Sequence, residues 1–485
     1  MEIVKNIQGK KFEYTHVFGF FNDEEELPIC DCCQEKLGKY YRHPSLKKEF
    51  ADVTSLYLVE DNLPRNIMLV CLGKKDEYTI QKLVKILENI APKIDEKTII
   101  KVPSFARHLP IETVLKKMVL MFDYYSYQYD ECKSEKSKKS LSIYFSMDDD
   151  YSALIEEYYN LANAISNTRD LVNKPYNYLS APELANYAEL LASSLGDKVQ
   201  CKVMNKAEIE ALKMGAFLGV NKGSFDEPKL IEVTYTGNPA SQEYIGLVGK
   251  GIMYDTGGYS IKQSMNTMKD DMGGAATVLG VVEALASNNV VVNVKVVICA
   301  TDNRIDGKAL LPDDVLTSMN GKTIEIVSTD AEGRLTLADA ITYIQRQGCK
   351  TIVDLATLTG AAVVALGEYT TAIFGNTPEL TKTIIETGLE EDEHLWELPI
   401  TDYIRKQVRQ SKVADLTNST GRNMGASGAA AFLEEFVEKD NRWVHLDIAG
   451  TAFHTSPAYQ EFYGASGVLV KTLYQFLKAK SIDKK

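Results

Sequence analysis

The sequence contains no run of about 18 apolar residues, the length that a membrane-spanning helix requires. Its first residues also lack an apolar core followed by a small-residue cleavage site, the pattern of a secretory signal. Cysteine is scarce, with 8 among 485 residues, which is too few for a disulfide scaffold. We therefore expect a cytoplasmic protein with reduced thiols and no membrane association.

Positive charge is also in short supply. The chain has 54 Lys and Arg against 67 Asp and Glu, a formal net charge of -13. An acidic protein gains no free energy by releasing counterions from DNA or RNA, so no nucleic-acid partner is expected.

Histidine is too sparse and too scattered to build the common zinc sites. The motif HExxH is absent, which excludes a zincin-type site. Cys30, Cys32 and Cys33 cluster, but His43 stands alone and no second Cys/His pair lies at ligand spacing, so a structural zinc is not expected there.

What is present is an ordinary globular composition, 45% apolar and 25% charged, in a chain long enough for two or three domains. Short β-rich segments alternate with helical patterns over residues 1–150, which predicts an N-terminal α/β domain. A long helical pattern over 151–175 predicts a connecting helix that ends just before Pro175. Residues 176–485 predict a second α/β domain whose mostly parallel central sheet is flanked by helices. Ligands of such sheets bind at the carboxyl ends of the strands.

Three segments place carboxylates near such ends. In VGKGIMYDTGGYSIK, Asp255 precedes two glycines, and a lone Asp at a turn explains it equally well. In MKDDMGGAAT, Asp271 precedes an apolar helix, so locally a helix N-cap is the better interpretation. In TIEIVSTDAEGRLTLADA, Asp330 and Glu332 would share one face if extended, although Asp330 is also a possible helix cap.

Together the three segments favour a cation site. Like charges aimed at one point are costly unless a cation lies between them. Four converging carboxylates would balance two divalent ions, and oxygen ligands with one amine suit Mn²⁺, Mg²⁺ or Zn²⁺.

The three segments, with DLATLTGAAVVALG, GASGAAAFLEEFV and WVHLDIAG, resemble in order the signatures of the leucyl (cytosol) aminopeptidase family. The wording GGYSIKQ is most similar to the peptidase B branch of that family. The likeness covers roughly residues 165–475. It implies an α/β catalytic domain preceded by a smaller α/β, macro-like domain, and the first 150 residues resemble that domain only loosely.

The resemblance implies two divalent metal ions per subunit, Mn²⁺ or Zn²⁺, with Mg²⁺ or Co²⁺ as further possibilities. One ion would be held by Lys250, Asp255, Asp271 and Glu332. The other would be held by Asp255, Asp330 and Glu332. A water bridging both ions would attack the scissile carbonyl, because two Lewis acids lower its pKa.

The resemblance further implies that Lys262 and Arg334 are the catalytic cations. Lys262 would polarise the scissile carbonyl. Arg334 would hold a bicarbonate ion that acts as general base, with backbone contacts at Gly333 and Leu358. The first specificity pocket would be lined by Met268, Thr357, Gly360, Ala449 and Ala452.

The implied function is release of N-terminal amino acids from peptides with a free N-terminus, by a homohexamer. The alternatives are a non-catalytic scaffold or regulator of the same fold and a two-metal hydrolase of another kind, such as a phosphoesterase. The sequence departs from the family in three places. Eight residues separate Lys262 from Asp271, two fewer than the family has; Ser328 replaces Asn; and Asp313 replaces a customary glycine.

Overall fold

The structure is a computed structural model that describes residues 2–3, 14–25, 41, 46–60, 63–94, 97–136, 142–455 and 463–482. The chain forms two compact units, residues 1–163 and 164–485. The boundary between them falls inside the helix Ser152–Asn173, where the sequence predicts the connecting helix. The finer limits 1–150, 151–175 and 176–485 stay a prediction.

The first unit contains a six-stranded sheet in the order β1-β6-β5-β2-β4-β3, parallel except for the β3–β4 pair. Its strands are β1 Glu2–Ile3, β2 Thr15–Phe20, β3 Val53–Glu60, β4 Leu63–Cys71, β5 Lys97–Lys101 and β6 Ser142–Ser146. Its helices are Ile80–Ile90, Val102–Ala106 and Ile111–Ser126, besides the first part of Ser152–Asn173. The helix Ile80–Ile90 buries one apolar face and is capped by Thr79, whose hydroxyl accepts from Lys82 N.

The second unit is built on an eight-stranded sheet in the order β15-β14-β17-β13-β9-β10-β8-β7. Its strands are β7 Val199–Met204, β8 Lys229–Thr236, β9 Ile245–Asp255, β10 Asn293–Asn303, β13 Thr351–Ala356, β14 Thr370–Gly375, β15 His394–Glu397 and β17 Arg442–Asp447. The four neighbouring strands β17, β13, β9 and β10 are mutually parallel. The predicted α/β fold with a mostly parallel sheet is therefore confirmed.

Helices surround this sheet. They are Ala181–Ser194, Lys206–Ala211, Gly215–Asn221, Gly273–Ser287, Gly333–Arg346, Gly360–Leu366, Pro378–Glu390, Asp402–Val408, Gly425–Glu434 and Val470–Ile482. Gly273–Ser287 and Gly333–Arg346 are buried along almost their whole length. Both contact β9, so the central strand lies between buried helices and its side chains are held on both faces.

One predicted strand proved wrong. TIEIVSTD is a strand only over Thr323–Glu325 (β12), and that strand lies outside the central sheet. It pairs with β11 Val315–Thr317 and β16 Leu416–Thr417 in a small three-stranded sheet. A turn then takes the chain to the helix Gly333–Arg346, so the reasoning that Asp330 and Glu332 share the face of an extended strand was also wrong.

Two strands near the C-terminus, β18 Phe453–His454 and β19 Gly464–Ala465, form a separate antiparallel pair. Within the described part of the chain, no helix is both long enough and apolar enough to cross a bilayer. Cys30, Cys32, Cys33 and His43 lie outside the described residues.

Candidate active site

Three carboxylates converge at the carboxyl end of β9. Asp255 is the last residue of that strand, Asp330 lies in the turn before the helix Gly333–Arg346, and Glu332 immediately precedes that helix. One carboxylate oxygen from each lies within 4.8 Å of those of the other two. The structure brings these three predicted site residues together, although a turn rather than a strand places Asp330 and Glu332 there.

A fourth carboxylate, Asp271, joins the cluster through a buried lysine. Lys250 Nζ lies 2.6 Å from Asp271 Oδ1 and 3.1 Å from Glu332 Oε1. It also donates to the carbonyl oxygen of Thr357 at 2.9 Å. Asp271 Oδ1 accepts a second bond from Thr357 Oγ1, and the N-cap position of the following helix belongs to Met272. The local interpretation of Asp271 as an N-cap is therefore wrong.

Glycine at 333 makes room for this lysine. A Cβ there would stand 2.3 Å from Lys250 Cε and 2.7 Å from Lys250 Nζ, both far inside van der Waals contact. Only a residue without a side chain lets the helix start so close to the ammonium.

Lys262 completes the other side of the cluster. Its Nζ lies 2.7 Å from Asp255 Oδ2 and 2.5 Å from Asp330 Oδ1. The loop that carries it turns at Gly257, whose φ of +82° lies in the left-handed region that favours glycine. Lys250 thus joins Asp271 to Glu332, and Lys262 joins Asp255 to Asp330.

Burial and crowding shift the ionisation of these groups. Burial, with the nearby charge of Glu332, raises the pKa of Asp255 to about 6. Burial likewise raises the pKa of Asp271. Burial alone would raise the pKa of Glu332, but the two lysines outweigh it and lower that pKa. Burial would also lower the pKa of Lys250 and Lys262, but the surrounding carboxylates raise both. The cluster is therefore held together by cations among mutually repelling acids.

The donor set fits divalent metal ions. Asp271 Oδ2 and Glu332 Oε2 are buried and accept no hydrogen bond from any residue that the structure describes. A buried carboxylate oxygen without a donor is costly, and an ion is one of the few things that can satisfy it. Carboxylate oxygens with one amine are also ligands that hard and borderline cations accept.

Arg334 lies next to this cluster at the first turn of the helix. Its Nη1 donates to the carbonyl oxygen of Asn418 at 2.8 Å, whereas its buried Nε has no acceptor in the described part of the chain. Burial lowers the pKa of the guanidinium to about 10. Its Nε–H is thus left to a further acceptor. Leu358 N–H, by contrast, already donates to Asp447 Oδ1 at 3.1 Å.

The model of the "Cytosol aminopeptidase family, catalytic domain" matches residues 166–474. The chain belongs to the cytosol aminopeptidase family. Membership of this family supports an aminopeptidase-type function, that of a peptidase hydrolase, and the use of divalent metal. The solved structure of the bottromycin maturation enzyme BotP is similar, with a TM-score of 0.84 and 28% identity, and the match covers 96% of this chain and 99% of that chain. BotP in complex with Mn gives a TM-score of 0.85 at the same identity and coverage.

Of the residues predicted to line the specificity pocket of this aminopeptidase family member, Thr357 and Ala452 lie together. A Cβ at Gly273 would be 3.3 Å from Thr357 Cγ2 and 3.4 Å from Ala452 Cβ. Gly360, exposed, begins the helix Gly360–Leu366, and a Cβ there would meet nothing within 4 Å. Ala449 is half-buried just after β17.

Met268, the remaining predicted pocket residue, is half-buried in the short loop of residues 263–270. Tyr254 OH tethers this loop by donating to the carbonyl oxygen of Met265 at 3.2 Å. The turn closes with Thr267 at a φ of +73°, which is costly for a β-branched residue. Asp313 likewise has a φ of +72°, which explains why glycine is customary at its position.

Sequence reasoning missed two residues that hold the site. Asn303 Nδ2 donates to Asp255 Oδ1 at 2.8 Å and to the carbonyl oxygen of Thr329 at 3.0 Å. Asp447 ends β17 and accepts from the loop that follows β13. Both stand at the carboxyl ends of central strands, as Asp255 does, and that position was the signal available.

Proposed function

We propose that this protein is a metal-dependent aminopeptidase that releases N-terminal amino acids from peptides. The observation that carries the proposal is the convergence of Asp255, Asp330 and Glu332 within 4.8 Å, beside a buried Lys250–Asp271 pair. Family membership supplies the reaction class, and the residues described above supply a place for it.

Two divalent ions would be held by the residues that the family resemblance names. Lys250, Asp255, Asp271 and Glu332 would hold one ion, and Asp255, Asp330 and Glu332 the other. When bound, such ions supply Lewis acidity and a water of lowered pKa at neutral pH. Manganese or zinc is our proposal for the metal.

The charges of Lys262, Asp271 and Arg334 suggest a role for each in the reaction. Lys262, one-fifth exposed, is the ammonium that can reach a substrate carbonyl and stabilise negative charge developing on its oxygen. Asp271 would accept a hydrogen bond from the free α-amine of the substrate, which restricts cleavage to chain ends. Arg334 would orient bicarbonate with its free Nε donor. We also propose the homohexamer, on resemblance alone, and a cytoplasmic location.

The test compares leucyl-anilide with its N-acetylated copy, with and without Mn²⁺. Metal-dependent release from the free-amine substrate alone is expected. Equal turnover of the acetylated substrate would rule out a requirement for the free amine and with it the proposal. No turnover of any aminoacyl substrate would rule the proposal out and favour the scaffold alternative.

A pair of matched variants sharpens the test. Glu332→Gln should abolish turnover and lower bound metal, measured by elemental analysis after dialysis. Glu283→Gln serves as the control, because Glu283 is another glutamate of the same unit, is half-buried, accepts from Asn167 and lies along the helix Gly273–Ser287, away from the end that follows Asp271. If Glu332→Gln keeps its metal while Glu283→Gln behaves identically, the assignment of Glu332 fails.

A further inference from the structure

The short loop that follows β13 contacts the candidate metal centre through Thr357. The Thr357 carbonyl oxygen accepts from Lys250 Nζ at 2.9 Å, and its hydroxyl donates to Asp271 Oδ1, also at 2.9 Å. Thr357 is therefore a hydrogen-bond partner of two proposed metal ligands, and any movement of it disturbs both Lys250 and Asp271.

This loop is not held by the sheet, because β13 ends at Ala356. It is held by Asp447, the last residue of the neighbouring parallel strand β17, which stands opposite Ala356. The Asp447 carboxylate accepts from Leu358 N at 3.1 Å, from Thr359 N at 3.3 Å and from Thr359 Oγ1 at 2.6 Å.

The same carboxylate reaches the predicted pocket wall. Asp447 Oδ1 also accepts from Ala449 N at 3.2 Å. Thr359 Oγ1, bonded to Asp447, accepts from Ala362 N at 3.0 Å and so caps the helix that begins at Gly360. Asp447 is only 2% exposed, so these bonds form where water does not compete with them.

We propose that Asp447 is a positioning residue, which holds Thr357 against Lys250 and Asp271 and sets the pocket wall at Gly360 and Ala449. The inference rests on the proposed metal-dependent peptidase. It gives the carboxylate a role in metal affinity and in substrate selectivity, without contact to metal or substrate. Without it, two loop amides and a hydroxyl would lose their acceptor, and the loop would relax away from the ligands.

Asp354 provides a matched control. It is fully buried on β13, in register with His445 of β17. Its oxygens lie 2.6 Å from Trp443 Nε1 and 2.5 Å from His445 Nδ1. These partners belong to β17 itself and not to the loop. Removing this carboxylate should therefore lower stability without disturbing the metal centre.

The first test measures Mn²⁺ binding by titration calorimetry in wild type, Asp447→Ala, Asp447→Asn and Asp354→Ala. Asp447→Ala should weaken Mn²⁺ binding by about tenfold or more, the usual effect of losing a group that orients ligands. Asp447→Asn keeps a carbonyl acceptor and should recover most of that affinity. Asp354→Ala should melt at a lower temperature and bind Mn²⁺ as wild type does. Equal Mn²⁺ affinity in Asp447→Ala and wild type overturns the inference.

A second readout needs no metal and no turnover. Hydrogen exchange of the peptide that contains Leu358 and Thr359, measured in metal-free protein, should be faster in Asp447→Ala than in wild type or Asp354→Ala. Unchanged exchange there would count against the inference even if the proposed activity proves absent, so the two failures are distinguishable.

Selectivity gives the third readout. In Asp447→Ala, the ratio of kcat/KM for leucyl-anilide to that for alanyl-anilide should move toward one, because the pocket wall is no longer held. If Asp447→Ala does not fold, Thr359→Val carries the test. It removes the 2.6 Å bond to Asp447 and should weaken Mn²⁺ binding several-fold, with recovery in Thr359→Ser. Wild-type affinity in a folded Thr359→Val would refute the proposal.

Discussion

Replacing Gly333 by alanine should damage the metal centre while leaving the helix itself intact. The new Cβ would stand 2.3 Å from Lys250 Cε, so the two groups must separate by roughly 1–2 Å to reach ordinary contact. Lys250 is 3% exposed and bonded to Asp271, Glu332 and Thr357, so it cannot move without losing at least one of these bonds.

The magnitude follows from two opposing effects. Overpacking a close-packed interior typically costs about 1–3 kcal/mol. Alanine in place of glycine within a helix returns up to about 1 kcal/mol. We expect a net loss of about 1–2 kcal/mol in the free energy of unfolding of the metal-free protein. For a unit of this size the midpoint of thermal unfolding should fall by a few degrees, roughly 2–4 °C. Mn²⁺ affinity should fall by about tenfold to a hundredfold.

Gly360→Ala is the matched control for stability and bound metal, because Gly360 also begins a helix and a Cβ there would meet nothing within 4 Å. The assays are differential scanning calorimetry of the metal-free proteins and Mn²⁺ titration. If Gly333→Ala binds Mn²⁺ with wild-type affinity and unfolds at the same temperature as Gly360→Ala, Gly333 does not confine Lys250 and the reasoning is refuted.

Three further results are expected. Asn303→Ala removes the donor that joins Asp255 to Thr329 and should destabilise the metal-free protein by about 1–3 kcal/mol in urea unfolding, with weakened Mn²⁺ binding; a variant that loses neither would contradict the assigned contacts. Burial lowers the pKa of His454 below its usual 6.5, so the stability that this neutral ring provides is complete above pH 6.5 and lost as pH falls. His454→Gln should therefore show a weaker decline in unfolding free energy between pH 7 and 5 than wild type, and parallel curves would argue against it. Saturating Mn²⁺ should stabilise the wild-type protein by about 2.7 kcal/mol at a hundred times its Kd, visible as a rise in melting temperature that a chelator reverses; the absence of any rise would exclude a preformed site.

The sequence predicted the site better where ligand residues follow strands than where they follow turns. Asp255 could be placed because a long apolar strand must end there and its loop must turn at glycines. The sequence named Asp330 and Glu332 as neighbours, but it predicted an extended strand where the structure has a turn. The strand before them stops at Glu325, and the helix start at Gly333 determines the direction of both side chains.

Residues whose contacts are distant in sequence could not be predicted. Asp271 looks like a helix cap in its own segment, and only the approach of Lys250 and Thr357 gives its carboxylate different partners. Asp447 acts on a loop 88 or 89 residues earlier in the chain, a separation for which local pattern carries no information. Side-chain periodicity reports which face of an element is buried, and tertiary contacts decide what that face meets.

The strand order of the large sheet has a consequence for synthesis of the chain. β13 and β14 follow each other in the sequence but are not neighbours, because β17 lies between them. A nascent chain that has not reached residue 447 therefore exposes two unpaired strand edges, which are templates for aggregation. The sheet closes only when β17 emerges from the ribosome, and the same strand brings Asp447 to the loop beside Lys250. Completion of the sheet and the placement of Asp447 beside that loop thus depend on the same strand.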